Sequence, residues 1–158
     1  MTHKLTVLAV FSLIMCGSLQ NAQSQEVQEI TPVYFGTVVV LDNSTVGSIR
    51  IDEFGNTTVS THFAVIDPPR YGEFRLVNFV PNSILFITGG IIQAGTTSPQ
   101  VSPEQFTLNA VNVRATIRVD ADGNAEFRVG GELVTSGSNS LAFGNQTYTS
   151  RLSITVDY

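Results

Sequence analysis

Between Tyr148 and Tyr158 apolar and polar side chains alternate almost one for one. Tyr148, Leu152, Ile154, Val156 and Tyr158 share one parity, interrupted only by Ser150. Thr149, Arg151, Ser153, Thr155 and Asp157 take the other. Successive residues of a strand point to opposite faces, so this pattern predicts a half-buried β-strand with one dry side and one wet side. A strand of this kind at a sheet edge presents unpaired backbone groups, and whatever covers it becomes the main functional question.

The same reading places strands over Val33–Leu41, Val46–Asp52, Thr57–Ile66, Tyr71–Val80 and Ser83–Thr88, the last stopped by Gly89 and Gly90. In Tyr71–Val80, Glu73 and Arg75 fall on one face and Phe74 and Leu76 on the other. The clearest hairpin spans Asn112–Val129, turning at Asp120, Ala121, Asp122, Gly123 and Asn124, with Arg114 or Arg118 placed to pair with Glu126 across it. Gln93–Gln105, rich in Gly, Thr, Ser and Pro, reads as a long surface loop. No helical period of apolar residues occurs after residue 24. The expected fold is all-β: one antiparallel β-sandwich, immunoglobulin-like, over residues 25–158.

Residues 1–24 change the picture of compartment. Lys4 precedes the apolar stretch Val7–Cys16, and Ala22 and Ser24 supply small residues before a cut at Gln25. That three-part pattern predicts a signal peptide and a secreted, periplasmic or extracellular protein at the cell surface. Lipidation at Cys16 is the competing processing route, and bulky Met15 stands where a small residue should precede the cysteine.

Removing 24 of 158 residues leaves 134, enough for one domain with its own core. Cys16 is the only cysteine and leaves with the leader, so no disulfide is expected and the core and ladders must hold the fold. Lys4 is the only lysine, so the processed chain carries seven arginines against 13 acids, a net charge of −6. A lysine-free acidic surface argues against nucleic-acid binding, which rests on clustered basic side chains. No later apolar run is long enough to cross a bilayer, so membrane insertion of the processed chain is not expected.

Chemistry has few candidates. His62 is the only histidine after the leader, and it lacks partners for a zinc site of ordinary kind or a nucleophile elbow. Asp120, Asp122 and Asn124 have the spacing that opens a calcium loop, but Ala125 and Gly131 stand where glycine and glutamate are needed, so a hairpin turn is expected instead. Asn43, Asn56 and Asn145 each begin an N-glycosylation acceptor pattern. An enzyme would need carboxylates such as Asp67, Glu73 and Glu104 to converge in a cleft. No catalytic residue, cofactor or metal is therefore expected.

Three segments carry a family resemblance. Tyr34 to Val39 resembles the "FG-T-[IV]-V" opening of DUF4402, a family of secreted bacterial domains of unknown function. Val129 to Leu133 is similar to its "GG-x-L" element, and Tyr148 to Tyr158 to its closing alternation. The resemblance implies a pilin-like sandwich, related in look to pilus subunits that accept a neighbour's N-terminal arm as a missing strand. It also implies, as partners, further copies or pilus subunits and a periplasmic chaperone. The arm before Phe35 departs from that scheme, because neither parity of Glu26–Val33 gives a long apolar alternation.

The expectation is thus a non-enzymatic structural or adhesive surface subunit that assembles by edge-strand complementation at Tyr148, Leu152, Ile154, Val156 and Tyr158. Its rival is a self-complete monomeric module that binds through loops, above all Gln93–Gln105. An arm docked on its own sandwich favours the rival. A free arm with an open groove beside the last strand favours assembly.

Overall fold

The computed structural model describes residues 24–98 and 104–158. The leader, apart from Ser24, lies outside the described residues, as does the middle of the expected loop. Eleven strands form among the described residues: β1 Glu26–Thr31, β2 Thr37–Val40, β3 Ser48–Ile51, β4 Thr57–Val59, β5 Phe63–Asp67, β6 Gly72–Val77, β7 Ile84–Thr97, β8 Thr107–Val113, β9 Thr116–Arg118, β10 Ala125–Val134 and β11 Thr149–Asp157. All pairings are antiparallel, and the all-β sandwich read from the sequence is the fold.

One layer has the order β1-β6-β10-β8, with β3 and β4 added beside the second half of β10. The other layer sets β7 between β9 and β11. The layers join where the far end of β7 reaches β8 at Gly95 and Thr107. Between them lies the larger core: Phe74 and Leu76 of β6, Leu85 and Ile87 of β7, and Phe127 and Val129 of β10, with Phe79 and Val119. Phe74 and Phe127 stack with ring centroids 5.6 Å apart. The alternation read in β6 is what puts Phe74 and Leu76 inside and Glu73 and Arg75 outside.

A smaller core closes the opposite end. Ile49, Phe63, Phe106 and Leu133 are buried there, covered by the β2–β5 ribbon and by Phe35, Phe143 and Tyr148. Phe106 stacks on Phe143 at 4.3 Å and meets the edge of Tyr148 at 5.0 Å.

Four local expectations are corrected. The strand expected over Thr57–Ile66 is two, β4 and β5, with His62 in the turn between them; its Nε2 faces Thr45 Oγ1 at 2.8 Å and its Nδ1 faces Ser60 Oγ at 3.2 Å. Gly89 and Gly90 do not stop β7, which continues to Thr97. They are glycines because the chain is crowded: a Cβ on Gly89 would sit 2.5 Å from Val111 Cγ1, and one on Gly90 2.7 Å from Ser153 Oγ. The loop expected over Gln93–Gln105 is therefore strand as far as Thr97. Buried Thr96 fixes this stretch, its Oγ1 accepting from the Phe106 N–H at 3.0 Å while its own N–H donates to Phe106 O at 2.9 Å.

The fourth correction concerns the hairpin. The chain breaks at Arg114 and Ala115, so β9 leaves β8 and pairs with β7, while β10 pairs with β6. The turn at Asp120–Asn124 thus carries the chain from one layer to the other. Glu126 consequently meets Arg75 of β6, at 2.5 Å, rather than Arg114 or Arg118.

Candidate assembly edge

β11 bonds to β7 along its length, and no described strand pairs with its other side. Register irregularities near its start arise from extra residues in β7, since Thr149 faces Thr97, Arg151 faces Gln93 and Leu152 faces Ile91. β11 itself stays regular, and its parity alternates without a slip. Sequence dictates this: Leu152, Ile154 and Val156 follow Ser150 on one parity, Thr, Ser and charged residues hold the other, and no proline interrupts the nine residues.

The five residues singled out in the sequence occupy three kinds of place. Leu152, Ile154 and Val156 line the inner face and pack, half-buried, against the larger core. Tyr148 lies just before the strand and belongs to the smaller core. Its hydroxyl accepts from the Gly144 N–H at 2.7 Å and donates to Gly144 O at 3.0 Å. Tyr158 lies just past the strand, 60% exposed, tilted against Phe79 with centroids 6.4 Å apart.

The N-terminal arm is docked. β1 runs along β6 with Glu26 opposite Val77 and Val27 opposite Leu76, and a register shift follows Glu29. At its start the Gln25 side-chain amide bonds to the Tyr158 hydroxyl, and Asn78 Nδ2 donates to Ser24 O at 3.2 Å. The two edge strands, β1 on one layer and β11 on the other, therefore meet at one corner. Sequence reasoning read this segment only as an arm, because neither parity of β1 is apolar and its side chains stay mostly exposed.

A second feature escaped the sequence reading. Ile84, Phe86 and Ile92 stand 58%, 52% and 65% exposed on β7, next to β11. The alternation Ile84, Leu85, Phe86, Ile87 signals it, since burial of Leu85 and Ile87 commits Ile84 and Phe86 to the outer face.

The remaining candidates have local structural work. Asp120 Oδ1 accepts from the N–H groups of Asp122 and Asn124 at 2.9 and 2.8 Å, so its carboxylate is turned onto its own loop. Asp52 repeats the arrangement with the N–H groups of Phe54 and Asn56, and both turns carry a glycine at positive φ, Gly55 at 90° and Gly123 at 83°. The Asn56 side-chain amide, seconded by the main-chain N–H groups, holds the Asp52 carboxyl below the usual range. The N–H and hydroxyl of Ser44 do the same for Asp42.

Asp67 pairs with Arg70 at 2.7 Å, Glu73 lies on the outer face of β6, and buried Glu104 accepts from the Ser136 hydroxyl at 3.0 Å, so the three occupy separate parts of the fold. Asn43, the first glycosylation candidate, is buried, with Nδ2 donating to Ser138 O at 2.7 Å and Oδ1 accepting from the Gly137 N–H at 3.2 Å. The folded chain does not present it. Among the described residues no group of three or more His, Cys, Asp or Glu is placed to hold a metal, and no helix is long and apolar enough to cross a membrane.

Comparison with known proteins gives one finding. A family model described as a domain of unknown function, DUF4402, matches residues 26–158. No curated protein and no solved structure matches the chain.

Proposed function

The chain belongs to the DUF4402 family, whose description assigns no activity, and we propose that it is an exported, non-enzymatic structural or adhesive surface subunit that works by offering the open edge of β11 to another chain. One observation carries this reading: a regular nine-residue strand that, among the described residues, is paired on one side only. Edges are ordinarily blunted by proline, by bulges or by charges pointing inward, and β11 has none of these between Leu152 and Val156. Main-chain hydrogen bonds to an added strand would supply affinity, and the alternate side chains would supply register.

The test is the double substitution Ser153→Lys with Thr155→Lys. Lysines on the outer parity blunt a sheet edge against strand addition while leaving Leu152, Ile154 and Val156 in place. The secreted parent is expected to form assemblies, by size measurement, that the variant loses while keeping its melting temperature within a few degrees. Assembly unchanged from the parent would remove the β11 edge as the surface.

A second reading has its own support. β1 lies on its own sandwich, which favours a self-complete monomeric binding module over a subunit that donates its arm. Its loop surface is narrower than the sequence suggested, because β7 takes up Gln93–Thr97. A parent that stays a sharp monomer at every concentration, and whose surface attachment survives the lysine pair, selects this reading.

A further inference from the structure

The open edge is complementary to itself. Antiparallel partners directly opposite each other share a face, so a symmetric pair must be centred on a residue, with the twofold axis running through the sheet. Centred on Ile154, two copies of β11 oppose Ile154 with Ile154 and Leu152 with Val156 on the inner face. On the outer face Ser153 meets Thr155, and Arg151 meets Asp157, twice, once on each side of the axis.

Neighbouring registers lose this match. Centring on Ser153 sets Arg151 against Thr155 and brings polar Ser150 against Val156. Centring on Thr155 sets Asp157 against Ser153. Only one register pairs both charges and keeps the inner face wholly apolar.

We infer that the partner of the β11 edge is a second copy of this chain, joined through an isologous β11–β11 pair centred on Ile154 and closed by two Arg151–Asp157 ion pairs. The inference rests on the proposed edge function and names its partner. Arg151 and Asp157 are both exposed, and neither enters the ion pairs of the described residues, which join Arg70 to Asp67 and Arg75 to Glu126. Both stand ready on the outer face, in cross-strand rows that Gln93 and Phe86 of β7 begin. The pair would extend each β7–β11 ladder into a sheet continuous across two molecules, with Ile84 and Phe86 of each copy on its outer face. Because the contact is symmetric, it closes at two copies.

Sedimentation equilibrium on the secreted protein at low salt tests this with Arg151→Asp, Asp157→Arg and the two combined. Each single reversal sets like charges opposite each other at both sites, and is expected to weaken the dimer roughly tenfold or more, with melting of the monomer unchanged. The double reversal restores opposite charges in the same register and is expected to return dimerisation to the parent level. Added salt should weaken the parent and the double variant alike.

A monomeric parent, a ladder of species beyond the dimer, or single reversals that dimerise like the parent would each overturn the second-copy pairing. So would a dimer that neither reversal nor combination alters in the expected order. These failures are separable from failure of the edge itself: if the lysine pair at 153 and 155 abolishes attachment while the charge reversals follow no swap pattern, the edge stands and its partner is a different chain.

Discussion

β1 and β11 are both edge strands, and they are held in different ways. β1 is joined to β6 through its backbone, while five of its six side chains are exposed, including Val27 at 39% and Ile30 at 50%. β11 has the same ladder on one side, and in addition drives Leu152, Ile154 and Val156 into the larger core. A ladder without side-chain burial exchanges hydrogen bonds to water for hydrogen bonds within the chain, at small net gain. Apolar burial is the dominant favourable contribution to holding a segment. β1 is therefore a cover held mainly by its ladder, and β11 is part of the body of the sandwich, with no described strand on its other side.

The largest effect expected from this contrast is at Ile154. Ile154→Asp sets a carboxylate against the larger core and should cost several kcal/mol, enough to lower the yield of folded protein severely. Thermal denaturation of whatever is recovered measures it. A variant that melts with the parent would mean that β11 is no better anchored than β1.

Next in size is a matched pair of glycine substitutions behind the two edges. Gly89→Ala forces a methyl against Val111 within the core, an overpacking cost of about 1–3 kcal/mol. Gly72→Ala meets Val33 and Thr31 instead, at 2.9 to 3.0 Å, where the loosely held arm can shift, so its cost should be the smaller of the two. Equal costs by chemical denaturation would erase the distinction between body and cover.

Replacing Val27 and Ile30 together by Ser should cost about 1 kcal/mol or less, because both are already substantially exposed. Hydrogen exchange sharpens the point: amides of β1 should exchange by local opening well before those of β11 that bond to β7. Slow exchange in β1, matching β11, would contradict it.

The smallest effect lies away from both edges. The Asp52 carboxyl is held below its ordinary range by Asn56 and by main-chain N–H groups, so the stability it lends the β3–β4 turn is fully present above the ordinary aspartate range. That contribution is lost as pH falls through the lowered folded-state value. Asp52→Asn should therefore narrow the difference in stability between neutral and acid pH, measured by urea melts, and leave exchange at both edges alone.

Where parity was unbroken, the sequence was legible. Phe74 and Leu76 against Glu73 and Arg75, and the closing strand with Leu152, Ile154 and Val156 inside, read directly into the structure because each face has one consistent environment. The glycine pair at 89 and 90 misled, since crowding against Val111 and Ser153 calls for the same residue as a turn does. The hairpin misled for a different reason. Val113, Ala115, Ile117 and Val119 keep one parity across the break at Arg114 and Ala115, and alternation records which face is dry, not which neighbour supplies the hydrogen bonds.

The docking of β1 was the least legible, because backbone pairing leaves no side-chain pattern to read. The edge character of β11 was legible only as a possibility of the pattern. That β7 is its one partner among the described strands is a property of the whole topology.

The bond between Gln25 and Tyr158 has a consequence for how the domain can be rewired. Since the beginning of the first strand and the close of the last share a corner, a linker of a few residues should suffice to splice them, and the sequence could be reopened at exposed Leu141 and Ala142, between β10 and β11, without disturbing either layer. A circular permutant of that design, folding to the same melting behaviour, would show that this corner accepts a covalent join.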